Sequence, residues 1–525
     1  MPKPLKLWPL LALTLMATAS AAPLSKRQLF ALTGRGVEAF DGEDYGRARL
    51  LWQKAAAAGD WSAQYNLGEL FLNGYGVVPD YKRARRYHEQ AASGHMSGYI
   101  RFIIYLSYQE GREFLRLKFY YQQLKAPALA QSRLGMLYYR GLGGPRDYEK
   151  ARQYWERAAA NGDDDARFFV GSLYHEGTHV ARDYGKARAL WESAALNGHG
   201  DAQFNLGFLY YVGMGVPLDY RQARYWFKKA AAGGDTKAQF NLGRIYENGQ
   251  GVAKNYDEAR KWYELAARGD DSDAKVSLAY LYESGLGQGQ RDYAKAREYY
   301  EEAAADDNDL ALLALGRFYG EGLGVKKDYG KARTWFEKAA AQGNADAQFG
   351  MGYLYAEGLG VEKDYGKAHT WFEKSAAQGN AKGQRGLGWL YTDGGKGVSE
   401  DYDKAREWYE KAAAQGDSNA QANLGILYGV GKGVSQDYGK AREWYEKAAA
   451  QGDAGAQNNL GALYAQGQGV PQDYGKAREW YEKAAAQGQV SAQRNLGTLY
   501  MDGKGVKQDY GKAREWYEKA AAQGD

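Results

Sequence analysis

The sequence predicts an all-α fold: an α-solenoid of about 13–14 helix hairpins, each close to 36 residues long. Three observations carry this. The first is a recurring string, Asp-Tyr-x-x-Ala in most copies, marked by Tyr45, Tyr81, Tyr148, Tyr184, Tyr220, Tyr256, Tyr293, Tyr329, Tyr365, Tyr402, Tyr438, Tyr474 and Tyr510. The second is its spacing: steps of 36 residues, two of 37 and one of 67. The third is that apolar residues within each unit fall at helical intervals, and never alternate as in a strand.

Residues 417–452 serve as the type unit. Asp417 is placed to cap a first helix, in which Ala420, Leu424, Leu427 and Tyr428 form one apolar face. Gly425 lies on that face without a side chain, so a neighbouring helix can approach closely. The loop from Gly431 to Gln436 begins with a glycine where a helix end favours the left-handed conformation. Asp437 caps a second helix whose buried stripe is Ala441, Trp444, Tyr445 and Ala448. Gln451-Gly452 ends it. The two 37-residue units carry their extra residue in the glycine-rich loop, where length changes cost little.

These strings, Ala-x-x-x-Leu-Gly-x-x-Tyr, Gly-x-Gly-Val, Asp-Tyr-x-x-Ala and Ala-Ala-x-x-Gly, resemble the Sel1-like repeat, a branch of the tetratricopeptide superfamily. The resemblance implies a right-handed α-solenoid that acts as a protein–protein interaction scaffold, with the first helix of each hairpin lining a concave groove. Exported bacterial members resemble envelope adaptors or factors that meet host proteins. Penicillin binding, linked to some cysteine-rich relatives, is not carried over, because this chain has no cysteine.

The expected organisation is a signal peptide at 1–21, a tetratricopeptide-like hairpin at 22–60 with the short loop Asp41-Gly42-Glu43-Asp44, a Sel1-like repeat at 61–95, a degenerate repeat at 96–127, and a Sel1-like array at 128–525. The leader reading rests on Lys3 and Lys6, an apolar run from Leu7 to Met16, and Ala19-Ser20-Ala21 as a small-residue cleavage site. That run is too short to span a bilayer, and no later stretch is apolar enough. The expected location is therefore periplasmic or secreted. The array stops flush at Asp525, so its last face is expected to be covered or continued.

Charge is nearly balanced, with 69 basic against 64 acidic residues. Both signs are mixed along each helix, as in Arg442/Glu446 and Glu443/Lys447, rather than gathered into the basic stripe of a nucleic-acid binder. The absence of cysteine excludes disulfides, thiolate nucleophiles and cysteine-ligated zinc.

One catalytic string occurs, His175-Glu176-Gly177-Thr178-His179. A zincin needs both imidazoles on one helix face. In the repeat register Gly177 and His179 align with Gly358 and Gly360, so the helix ends inside the motif. His199 lies at the far end of the unit, about 20 Å away at the helical rise. The Gly-x-Gly loops complete no phosphate-binding fingerprint. The chain is thus expected to be non-enzymatic and without metal or cofactor.

Eleven of the 14 tryptophans follow the second-helix alanine by three or four residues, which reads as core packing. First-helix positions that vary while the frame stays fixed are the informative ones. Phe168, Phe204, Phe208, Phe240, Arg244, Tyr280, Arg317, Phe349, Tyr353, Arg385 and Trp389 occupy the two such positions. Aromatic residues with arginine are the composition of interface hot spots. These eleven are the expected contact residues for a protein or peptide partner, from the envelope or a host. An envelope glycan is the alternative ligand and a hydrolase the weaker one. It also remains open that the phenylalanines pack between helices.

Overall fold

The computed structural model describes residues 24–94, 115–287, 289–394 and 398–523. All of their regular elements are α-helices. The leader reading (1–21), most of the degenerate repeat (95–114) and part of the two longer loops (Gln288, 395–397) lie outside the described residues.

The chain divides into two compact units, 1–255 and 256–525. The first contains the helices Lys26–Asp41, Tyr45–Ala57, Trp61–Asn73, Tyr81–Ala92, Leu115–Arg140, Tyr148–Ala160, Asp164–Glu176, Tyr184–Leu196, Gly200–Val212, Tyr220–Ala232 and Thr236–Asn248. The second begins with Tyr256–Arg268 and continues as Ser272–Ser284, Tyr293–Ala305, Asp309–Glu321, Tyr329–Ala341, Ala345–Glu357, Tyr365–Ala377, Ala381–Asp393 and Tyr402–Ala414. Ser418–Val430, Tyr438–Ala450, Ala454–Gln466, Tyr474–Ala486, Val490–Asp502 and Tyr510–Ala521 complete it.

The type unit forms as its residues dictate. Ala420 N–H donates to Asp417 Oδ1 (2.8 Å) and Lys440 N–H to Asp437 Oδ1 (3.0 Å), so each aspartate satisfies an amide with no intrahelical partner. Gly431 closes the first helix at φ 73°, and its N–H donates to the Leu427 carbonyl. Gly433, at φ 67°, lies against the backbone of Tyr402 in the preceding hairpin; a Cβ there would sit 2.5 Å from the Tyr402 carbonyl oxygen. Contact between hairpins therefore requires this glycine twice over, for its dihedral and for its lack of bulk.

Glutamines stitch the seams. Gln451 Nε2 donates to Gln421 Oε1 (2.8 Å), and Gln421 Nε2 donates to the Ala413 carbonyl of the hairpin before it (3.3 Å). Gln415 with Gln384 and Gln487 with Gln457 repeat the first bond.

The expected core stripe needs one correction. The residue four after the second-helix alanine fills the core: Trp52, Trp155, Trp191, Phe227, Tyr263, Phe372, Tyr409, Tyr445 and Tyr481 are all buried there. Tryptophans three residues after the alanine lie on the flank of the stripe. Trp226 is buried, but Trp262, Trp335, Trp371, Trp408, Trp444, Trp480 and Trp516 are only partly so. Trp444 packs on a cluster shared by the preceding second helix (Tyr409, Ala412) and its own first helix (Leu424, Leu427), and Lys447 Nζ covers its ring at 4.0 Å. Alanine-plus-three and alanine-plus-four are roughly 100° apart around a helix, so one falls at the centre of the buried stripe and the other on its flank.

On the described side of the long step, hairpins 61–92 and 128–160 meet directly. Gly143 lies against the backbone of Tyr81, as Gly433 does against Tyr402, and Arg133 Nε donates to Glu69 Oε1 (3.0 Å). Residues 115–127 extend the helix Leu115–Arg140 at its start, with Pro127 inside it.

Candidate functional site

In the second unit, first helices of successive hairpins touch one another, most extensively Ala345–Glu357 with Ala381–Asp393, whereas no two second helices do so to that extent. Hairpins that fan in this way carry their first helices on the inner side.

None of the eleven expected contact residues is buried. Five lie in the first unit. Phe168 is half-buried, packed against Trp191 and His199. Phe204 is half-buried on Phe227, and Phe208 stacks beside it and is exposed. Phe240 is half-buried, and the exposed Arg244 guanidinium lies 5.9 Å from its ring.

The other six lie in the second unit. Tyr280 and Tyr353 are 50% and 49% exposed. Phe349 is half-buried between Tyr353, Phe372 of its own second helix, and the guanidinium of Arg385 at 5.8 Å. Trp389 meets Tyr365 edge-on at 5.8 Å. Arg317 Nη2 donates to Glu283 Oε1 at 2.5 Å, and Arg385 Nε stands 3.7 Å from Asp417 Oδ2. The phenylalanines at the earlier position thus serve two ends at once: one edge packs on the core and the other meets solvent. At the later position Phe208, Arg244, Tyr280 and Tyr353 are exposed outright.

Four of these six, Arg317, Phe349, Tyr353 and Arg385, line one open pocket of about 710 Å³. Leu313, Phe336, Leu354 and Leu359 add apolar wall. Two residues without side chains line it, Gly320 and Gly350, the second packed on the Phe336 ring. The position of Gly320 holds Glu283 one hairpin earlier and Met501 in a later hairpin, and that of Gly350 holds Asn423 and Asn459 further on. Lys327, Lys382, Glu321 and Asp346 complete the rim. Sequence reasoning missed this pocket; the detectable signal was the loss of bulk at two positions in consecutive units.

The Glu283 carboxylate that holds Arg317 also accepts from the Tyr300 hydroxyl (3.0 Å). Burial, and then the charge of Glu283, raises the Tyr300 phenol well above its usual value, so this hydroxyl stays a donor.

The His-Glu-x-x-His string takes the shape its register predicts. The helix ends at Glu176, and Gly177 is left-handed at φ 73°. The rings then part: His175 packs on Tyr184 and Trp191 of its own hairpin, while His179 stacks on Tyr148 of the preceding one, 3.7 Å between centroids. Among the described residues no group of three or more His, Asp or Glu could hold a metal ion, and no helix is long and apolar enough to cross a membrane.

Comparison with known proteins places this architecture. The Sel1 repeat family matches thirteen segments: 26–60, 61–95, and a run of eleven from 128–163 to 490–525. The hairpin at 26–60, which reads in sequence as tetratricopeptide-like, is one of them. A protective antigen present in uropathogenic Escherichia coli strains, whose crystal structure displays an SLR fold, is 40% identical, with 76% of this chain and 85% of that one aligned at a TM-score of 0.65. A Sel1 repeat protein from Oxalobacter formigenes is 32% identical over 59% of this chain and 89% of that one, at a TM-score of 0.47. None of the curated proteins matches. The chain belongs to the Sel1 repeat family, and its fold is an α-solenoid of consecutive helix hairpins.

Proposed function

We propose that the protein is an exported, non-enzymatic scaffold that binds a protein or peptide on the first-helix faces of its hairpins. The observation that carries this reading is the inner face of the second unit. There Tyr280 and Tyr353 present half their surface, while Arg317 and Arg385 are each held from behind by a carboxylate. Rigid aromatic rings and pre-positioned guanidinium groups lose little freedom on binding, which is why such residues dominate interface energetics.

Export to the periplasm or beyond is supported by the leader-like residues 1–21, and it fits a relative that is a protective antigen. The non-enzymatic part is supported by the roles the candidate groups already fill: the motif histidines pack on aromatic rings, and the aspartates cap helices.

The test is affinity capture from envelope and host extracts with the wild-type chain and with Tyr353→Ala/Trp389→Ala. The expected result is a protein retained by the wild type and lost by the double variant, with helicity and melting unchanged. Retention by both proteins, or selective binding of peptidoglycan or exopolysaccharide in place of protein, would overturn the reading.

A further inference from the structure

The pocket beside Phe349 has a chemistry of its own. Its floor is apolar, formed by Leu313, Phe336, Phe349 and Leu354, and Gly320 and Gly350 line it without side chains. Its rim is rich in donors. Arg317, Lys327, Lys382 and Arg385 all reach it.

Of the acceptors beside them, Asp346 takes Lys382 (3.1 Å) and Asn380 (3.2 Å), while Glu321 stands 3.9 Å from Arg317, beyond hydrogen-bond reach. Glu283 and Asp417, which hold the two arginines, are not among the lining residues. A guanidinium has five N–H groups, and the contacts to Glu283 and Asp417 use a minority of them. With four cationic side chains against two carboxylates at the rim, the site favours a ligand that brings acceptors to the rim and an apolar group to the floor.

We infer that this pocket takes a bulky apolar side chain of a protein ligand, with a carboxylate adjacent to it in that ligand bound by the arginine and lysine rim. The inference rests on the reading of this face as a protein-binding surface and adds to it the chemistry of the bound segment. Charge-assisted bonds to the carboxylate fix direction, and burial of the side chain against Phe349 supplies the apolar contact. An extended segment suits the site better than a compact one, because the exposed Tyr280 and the half-buried Trp389 continue this face to either side in the adjoining hairpins.

A display library of random peptides, selected on the full wild-type chain, tests this. The expected binders share an Asp or Glu next to Phe, Leu, Met or Trp, and their affinity falls as salt is raised. Gly320→Met should weaken them about tenfold or more by filling the pocket. The fold accepts this side chain, since Met501 stands at the same position of a hairpin built alike, and a Cβ on Gly320 meets only Ala332 at 3.7 Å. Lys327→Gln/Lys382→Gln should weaken them severalfold while leaving melting unchanged.

The inference is overturned if selection yields no binder, if the binders lack this composition, or if they ignore Gly320→Met. Binders that are lost with Trp389→Ala yet indifferent to Gly320→Met would leave the protein-binding reading standing and remove only this one.

Discussion

Arg317 and Glu283 belong to consecutive hairpins, and the guanidinium of one donates to the carboxylate of the other at 2.5 Å. The bond joins two first helices across a seam and fixes the guanidinium at the rim of the pocket. Arg317 is 39% exposed, so screening by water limits what the pair contributes. Glu283→Gln should lower local stability by about 1 kcal/mol. Hydrogen exchange should quicken in 272–321 and stay unchanged in 454–502, because damage in a linear array is felt first by neighbours. Uniform quickening across the second unit would contradict this.

The glycines of the frame separate into two kinds. A Cβ on Gly425 would fall 2.5 Å from the Tyr445 ring, a side chain wedged in the core. A Cβ on Gly439 would meet only Asp437 Oδ1 at 3.2 Å, and Ala294 already occupies the equivalent place. Helix propensity favours alanine over glycine by about 1 kcal/mol at either position. Gly439→Ala should therefore stabilise by about 0.5–1 kcal/mol, while Gly425→Ala should destabilise despite the same propensity. Paired denaturation curves check the signs.

Tyr445 and Trp444 are adjacent in sequence but unequal in the fold. Tyr445 is buried, and burial pushes its phenol up to about 12. Trp444 lies in the seam, half-buried, beneath Lys447. Tyr445→Ala should cost about 3–5 kcal/mol, the range for truncating a large core side chain. Trp444→Ala should cost less, about 1–3 kcal/mol, because it vacates a partly solvated surface. Equal losses would return Trp444 to the core position that its sequence suggests.

His88 fills the core position that Phe227 and Tyr445 fill elsewhere, and it is fully buried. Burial, aided by the charge of Arg133, lowers its pKa to about 3. Below the ordinary histidine value of 6.5 the unfolded chain takes up a proton that the folded chain refuses, so stability falls as pH drops from about 6.5 toward 3. Burial raises the pKa of Glu69, whose carboxylate stands 3.4 Å from His88 Nε2; it acts with the opposite sign, but only just above the usual carboxylate range. His88→Phe should flatten the curve, gaining about 2 kcal/mol on the wild type between pH 7 and pH 5. Parallel melting profiles of the two proteins would rule this out.

The hairpin frame was legible from the sequence because the residues that define it act locally. Asp417 and Asp437 cap whatever helix follows them, and Gly431 ends one wherever it stands. Core depth at Trp444 was not legible, because alanine-plus-three and alanine-plus-four both satisfy an apolar stripe and only the neighbouring hairpin decides between them. The variable positions were legible as a class, but their exposure was not uniform: the eleven named residues are at least partly exposed, whereas Ser132 and Asn458 at the earlier position are buried. The pocket was not, since Gly320 and Gly350 matter only through the helix facing them. The glutamine seams were missed for the same reason: Gln421 meets Gln451 and Ala413 across turns that no local pattern encodes.

Hydrogen exchange of the second unit, with and without the protein retained in affinity capture, tests most directly whether ligand is bound by first helices. The expected result is slowed exchange in Asp309–Glu321, Ala345–Glu357 and Ala381–Asp393, with Tyr329–Ala341 and Tyr365–Ala377 unchanged. Protection confined to those second helices, or to the hairpins from Ser418 onward, would contradict the account.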